Sequence, residues 1–164
     1  LIHDAARPLV PSQIVRRVVS ALRRGHPAVA PALPVTDTIK RITASDAQAA
    51  VAAAEAAEGL GEPASLRDGP SDFRIERVET TLNRSALRAM QTPQGFALEA
   101  IRRAHSAFAD RAASELNAAP DDAALAEAAG IPVVLVRGSE RAMKITRPFD
   151  LRIAELLLAD PALC

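Results

Sequence analysis

The sequence predicts an α/β fold with a mostly parallel sheet. Short apolar or β-branched runs, such as Ala28 to Val35 and Pro132 to Gly138, alternate with segments of helical spacing. Prolines open the helical segments and glycines close them, with Pro11 and Pro148 in front and Gly130 behind. The length of 164 residues suits one domain able to bury a real core.

Leu1 and Ile2 read as the end of a buried strand. No turn precedes them, so the protein is expected to continue upstream of Leu1. Pro8 fixes its own φ and disfavours helix at Arg7, so the chain turns there. From Pro11 and Ser12 onward, Ile14, Val15, Val18, Val19 and Leu22 recur at helical spacing. Asp4 and Arg7 therefore stand at the carboxyl end of a strand, ahead of a helix. Open α/β sheets bind ligands at that edge. An Asp there suits a hydroxyl or a metal, and an Arg suits a phosphate. The competing reading is a local Asp–Arg pair that ties down a loop.

Ala28 to Val35 is the second strand, expected to end or bend at Pro34 because proline removes a ladder donor. Thr36 to Ile42 and Arg74 to Leu82 are short, β-branched and half polar. They are expected to pair as an exposed β-arm spanning residues 36–83. Between them, residues 43–72 form an insertion. Its first half is an Ala-rich helix former with Ser45 or Asp46 as cap and Gly59 as stop, and its second half is a Pro/Gly/Ser-rich linker. With Val51 and Leu60 as its larger apolar anchors, the insertion is expected to be poorly packed and to carry no chemistry.

Leu98, Ile101, Ala104, Ala107 and Phe108 mark an amphipathic helix. Asp121 to Gly130 is a short helix with an acidic start and a glycine stop. Pro132 to Gly138 reads as a buried strand, and Ala142 to Thr146 as another short strand. Pro148 opens the last helix, whose apolar residues are Leu151, Ile153, Ala154, Leu156, Leu157 and Leu158.

Composition excludes several function classes. Lys plus Arg equals Asp plus Glu, which argues against a dedicated nucleic-acid binder. Four Phe with no Trp or Tyr are too few for a base-stacking platform. No apolar run reaches membrane-spanning length and no signal peptide opens the chain, so a soluble, cytoplasmic protein is expected. Cys164, the single cysteine, excludes an internal disulfide.

Polar clusters recur at element ends. Asn83-Arg84, Thr92-Pro93-Gln94 and Lys144-Ile145-Thr146-Arg147-Pro148 each offer a hydroxyl or a cation where a strand gives way to a loop or helix. Converging, an Arg, a Lys and two Thr make a phosphate pocket. Taken singly, each is a cap or a surface charge. Asp121 and Asp122 read mainly as cap and dipole partners. His3 reads as a structural residue at a strand end, because no Ser or Cys nucleophile is indicated nearby. His26 and His105 read as surface residues.

In order, HDAARP, PVTDTIKR, LNRSALRAMQTPQGF, PDDAALAEAAG and KITRPFDLRIAE resemble the 2-C-methyl-D-erythritol 4-phosphate cytidylyltransferase family over nearly the whole chain except the Ala-rich insertion. HDAARP and TRP-x-D-L are shared with pentitol-phosphate cytidylyltransferases, whereas the combination with TPQ-x-F is more specific. The resemblance implies a nucleotide-diphospho-sugar-transferase-like, Rossmann-like fold, with residues 1–164 as a partial cytidylyltransferase domain. It implies transfer of a cytidylyl group from CTP to methylerythritol phosphate, with Mg²⁺ or another divalent cation, in the non-mevalonate route to isoprenoids. By resemblance, Arg84 and Lys144 are catalytic and position the methylerythritol phosphate. Thr38 and Thr92 bind its phosphate or hydroxyls, and Asp4 and Arg7 hold its polyol end or the nucleotide ribose. The resemblance also implies a homodimer that exchanges the arm, so that Thr38 and Arg84 complete the partner's site. Some family members are fused to the cyclodiphosphate synthase of the same pathway.

Three departures qualify the resemblance. The seven glycines are scattered and form no phosphate-cradling loop, so these residues alone are not expected to transfer cytidylyl groups. The insertion lengthens the arm. Asn83 stands where an Asp is common. The alternatives are a related pentitol-phosphate or sugar-phosphate nucleotidyltransferase and, in another class, a non-catalytic remnant that dimerises through the arm.

Overall fold

An extended Pro11 leads directly into α1, Ser12–Arg23. The structure, a computed structural model, describes residues 1–43, 77–108 and 120–160. The chain divides into two compact units, Leu1–Pro34 with Arg88–Cys164, and Val35–Leu87.

In the first unit, β1, Ala28–Pro34, is central. On one side it pairs in parallel with β6, Val133–Arg137, from Ala28 opposite Val133 to Ala32 opposite Arg137. On the other it pairs antiparallel with β4, Arg88–Met90, and β5, Gly95–Phe96. The sheet is therefore mixed within an α/β unit. Residues 91–94 break the antiparallel side and contain a cis Thr92–Pro93 bond. Buried Pro31 faces this break, and its carbonyl accepts from the Gln91 N–H at 2.8 Å. A proline inside a central strand is tolerated where the facing ladder is already interrupted.

Side-chain alternation along β1 separates two apolar clusters. Val29 packs with Ile14 and Val18 of α1 and with Ala142. Ala28 packs with Ala104 of α2 (Leu98–Ala107), with Ala126 of α3 (Asp122–Ala128) and with Ile131. Helices thus cover both faces. Ile14 and Val18 are fully buried, each contributing about 1.5–3 kcal/mol of apolar burial. Gly25 and Gly130, at φ +92° and +72°, follow the C-caps of α1 and α3, where a left-handed residue ends a helix. The last helix, α4, spans Pro148–Ala159 with Pro148 in its first turn. It buries Ala154 and Leu157, while Phe149, Leu151, Leu156 and Leu158 are exposed.

In the second unit, β2, Lys40–Ile42, pairs antiparallel with β3, Val78–Thr81, and both are exposed throughout. Lys40 Nζ donates to Thr81 Oγ1 at 2.6 Å. A 3-10 turn, Arg84–Ala86, follows, and Asn83 Oδ1 accepts from the Ser85 N–H at 3.1 Å. Asn83 thus serves as the cap of this turn, which needs an acceptor oxygen but no charge. Most of the 43–72 insertion lies outside the described residues.

Three expectations are corrected. Leu1 and Ile2 are exposed rather than buried, and Ile2 forms an isolated bridge with Gln94. Residues 142–146 form no strand: a 3-10 turn, Glu140–Ala142, is followed by irregular chain whose Ile145 N–H goes to Ala6 O at 2.8 Å. β6 is half-buried to exposed rather than buried, with Leu135 46% exposed.

Candidate functional site

Within the first unit, residues 3–7, 90–94 and 139–146 meet beside β1. Asp4 forms the first of these loops. Its Oδ1 accepts from the Ala6 N–H at 2.9 Å, an Asx turn that closes with Arg7 N to Asp4 O at 3.0 Å. Its Oδ2 lies 3.0 Å from Lys144 Nζ. The Ala6 N–H, and then Lys144, hold the Asp4 carboxyl below the usual carboxylate range.

Thr92 joins the same cluster. Its Oγ1 accepts from the Asp4 N–H at 3.0 Å and lies 2.8 Å from His3 Nδ1. His3 Nε2 reaches Arg7 O at 3.2 Å. A carbonyl only accepts, so the neutral ring carries its proton on Nε2, and the Thr92 hydroxyl donates to Nδ1. His3 ties two loops together, in keeping with a structural residue.

Arg7 is directed inward. Its Nη1 donates to Ala142 O at 2.5 Å and its Nη2 to Met90 O at 3.3 Å, while its Nε is buried without a hydrogen-bond partner. Burial pulls its pKa down from the ordinary arginine value, and the Asp4 charge opposes that shift. Arg7 thus braces the loops that carry Lys144 and Thr92, and Asp4 pairs with Lys144 rather than with Arg7.

The structure therefore brings together Asp4, Thr92, Lys144 and the Arg7 brace. Thr38 and Arg84 belong to the second unit. Both are exposed, and Arg84 Nη1 donates to Thr36 O. Asp121 caps α3 through the Ala124 N–H at 2.8 Å, and Asp122 lies 2.9 Å from His105 Nε2.

The sequence reading missed two buried glutamines, Gln91 and Gln94, which are 5% and 3% exposed. Gln94 Nε2 donates to Asp121 Oδ2 at 2.8 Å, and its Oε1 accepts from the Ala123 N–H at 3.0 Å. The available signal was a glutamine on each side of Thr-Pro, next to an apolar Gly-Phe pair.

An acid–cation pair with a hydroxyl beside it can hold a polyol hydroxyl and a phosphate side by side. It does not resemble a metal centre. Among the described residues no three His, Cys, Asp or Glu side chains gather to hold an ion. No described helix is long and apolar enough to cross a membrane.

The family model of 2-C-methyl-D-erythritol 4-phosphate cytidylyltransferase (IspD) matches residues 1–65 and 48–160. A 2-C-methyl-D-erythritol 4-phosphate cytidylyltransferase of Streptomyces avermitilis is 42% identical over 159 residues, covering 97% of this chain and 51% of that protein. The bifunctional enzyme IspD/IspF of Paracoccus denitrificans is 39% identical over 160 residues, covering 98% of this chain and 32% of that protein. The crystal structure of the cytidylyltransferase of that name from Thermus thermophilus superposes with a TM-score of 0.64 at 38% identity, over 98% of this chain and 61% of that one. The chain spans about half the length of the curated relatives it matches. Motif order, α/β architecture and these matches agree, and the chain belongs to the 2-C-methyl-D-erythritol 4-phosphate cytidylyltransferase family.

Proposed function

We propose that the protein carrying these residues transfers a cytidylyl group from CTP to 2-C-methyl-D-erythritol 4-phosphate in non-mevalonate isoprenoid biosynthesis. The observation that carries this reading is the Asp4–Lys144 pair at 3.0 Å, with the Thr92 hydroxyl on the Asp4 backbone. Family membership supports it. An oxygen of the polyol phosphate attacks the α-phosphorus of CTP, and the bond to the leaving diphosphate breaks. Both reactants are anions, so charge neutralisation and in-line alignment dominate the protein's task.

In this reading Lys144 meets the phosphate of the polyol, and Asp4 holds Lys144 in place and accepts from a polyol hydroxyl. Thr92 adds a hydroxyl contact, and Arg7 keeps the three loops in register. Arg84 and Thr38 supply further contacts from the arm, exchanged between the subunits of a homodimer. A divalent cation such as Mg²⁺ would neutralise triphosphate charge as part of its complex with CTP, and no carboxylate cluster among the described residues would hold it.

Lys144→Met tests the reading. The expected result is at least a roughly 100-fold loss of transfer rate, as for removal of a preorganised charge from a reacting phosphate. Isothermal titration with methylerythritol phosphate in the absence of CTP should show weakened binding as well. Unchanged binding and turnover would remove Lys144 from the site.

A further inference from the structure

We propose that Gln91 and Gly138 form a clasp that positions Lys144 against Asp4, which makes Gln91 a positioning residue for this site. The proposal rests on the reading of Asp4 and Lys144 just given. Gln91 follows β4 and is buried. Its side chain crosses to the loop after β6. There Nε2 donates to Ser139 O at 2.8 Å, with Ala142 O at 3.5 Å, and Oε1 accepts from the Ser139 N–H at 3.0 Å. Both ends of the amide are spent on one short loop, which satisfies a buried polar group and fixes that loop to the sheet.

Gly138 makes the approach possible. A Cβ at that position would lie 2.2 Å from Gln91 Oε1 and 3.1 Å from Ala32 O. Its φ lies outside the positive range, so glycine is required there for space and not for backbone freedom. The 3-10 turn Glu140–Ala142 starts two residues later, and Lys144 follows it.

The loop is tied down along its length. Gln91 holds Ser139, Arg7 holds the carbonyl of Ala142, and Ile145 N–H reaches Ala6 O at 2.8 Å. Lys144 itself is exposed, and its flexible stem has many rotamers to choose from. Its meeting with Asp4 therefore depends on where the loop sets its backbone, and Gln91 holds the sheet end of that loop.

Two variants disturb the clasp by different routes. Gln91→Met keeps the volume and removes the hydrogen bonds. Gly138→Ala leaves Gln91 in place and pushes its amide away. In the whole protein that carries these residues, each is expected to lower kcat/KM for the polyol phosphate about 10–100-fold, the scale of a 1 Å misplacement, while the KM for CTP stays within about threefold. Each should also raise the Asp4 titration midpoint, read by carboxyl ¹³C NMR on the chain, in the direction that Lys144→Met raises it. In a Gln91→Ala background, where the amide is gone and only the 3.1 Å approach to Ala32 O remains, Gly138→Ala should change kcat/KM several-fold less than it does alone.

Multiplicative losses in that double variant would overturn the clasp. So would an unmoved Asp4 midpoint in both single variants when Lys144→Met moves it. The NMR readout tests the clasp independently of turnover. If Lys144→Met leaves polyol-phosphate binding intact, the site reading fails instead, and the midpoints still decide the clasp. Should Gln91→Met not fold, the Asp4 midpoint and kcat/KM of Gly138→Ala, read against the unaltered protein and Lys144→Met, carry the comparison.

Discussion

Lys144 Nζ stands 3.0 Å from Asp4 Oδ2, joining the first loop of the chain to the loop before the last helix. Asp4 also accepts from the Ala6 N–H, which is the larger cause of its lowered pKa. A carboxyl depressed on folding contributes stability that is present above its unfolded value of about 3.9. That stability is lost as pH falls through the lower, folded value. Carboxyl NMR should show Asp4 titrating below the ordinary aspartate range. In Lys144→Met the midpoint should rise only part of the way, because the Ala6 bond remains. A midpoint at the ordinary value in the unaltered chain would show that neither partner holds the charge.

Buried Gln94 and half-buried Asp121 form a second clasp. Replacing Gln94 with Leu leaves the Ala123 N–H and Asp121 Oδ2 without their side-chain partner. Denaturant unfolding should show a loss of about 1–3 kcal/mol, the cost of buried groups left unsatisfied. Glu99→Ala serves as the comparison, because it removes an exposed ion pair to Arg102 and should cost about 0–1 kcal/mol. Equal losses in the two variants would show that Gln94 is replaceable by water.

Gly95 and Val18 set how closely α1 lies on β5. A Cβ at residue 95 would come within 2.5 Å of Val18 Cγ1 and 2.8 Å of Leu22 Cδ1. Gly95→Ala should therefore destabilise by about 1–3 kcal/mol through overpacking. Val18→Ala alone opens a cavity, yet it should relieve part of the Gly95→Ala penalty. The double variant should then lie above the sum of the single effects when measured by thermal unfolding. Strict additivity would place the strain elsewhere.

Local signals specified much of the fold. The spacing of Ile14 and Val18 marked α1 and its buried face, Pro148 marked the start of α4, and Asp121 marked the cap of α3. The alternating stretches on either side of the insertion paired as β2 and β3. Each of these is written within a few neighbouring residues, because helix periodicity, caps and strand alternation act over one or two turns of chain. Asp4, Thr92 and Lys144 stood out as site candidates because they lie beside turn-forming residues and match family motifs.

Tertiary structure alone decided the remainder. Residues 142–146 carry strand-like residues, but the chain there has its backbone partner in Ala6 and its anchor in Gln91, and it runs irregularly after the 3-10 turn Glu140–Ala142. β4 and β5 exist because β1 offers them an edge. Gln91 meets Ser139 across 48 positions, and Gln94 meets Asp121 across 27. A glutamine in a loop carries only a weak local mark of burial, here its place beside Thr-Pro and the apolar Gly-Phe pair. Its two hydrogen-bonding ends become a structural clasp only when the packed sheet excludes water and brings distant backbone groups to meet them.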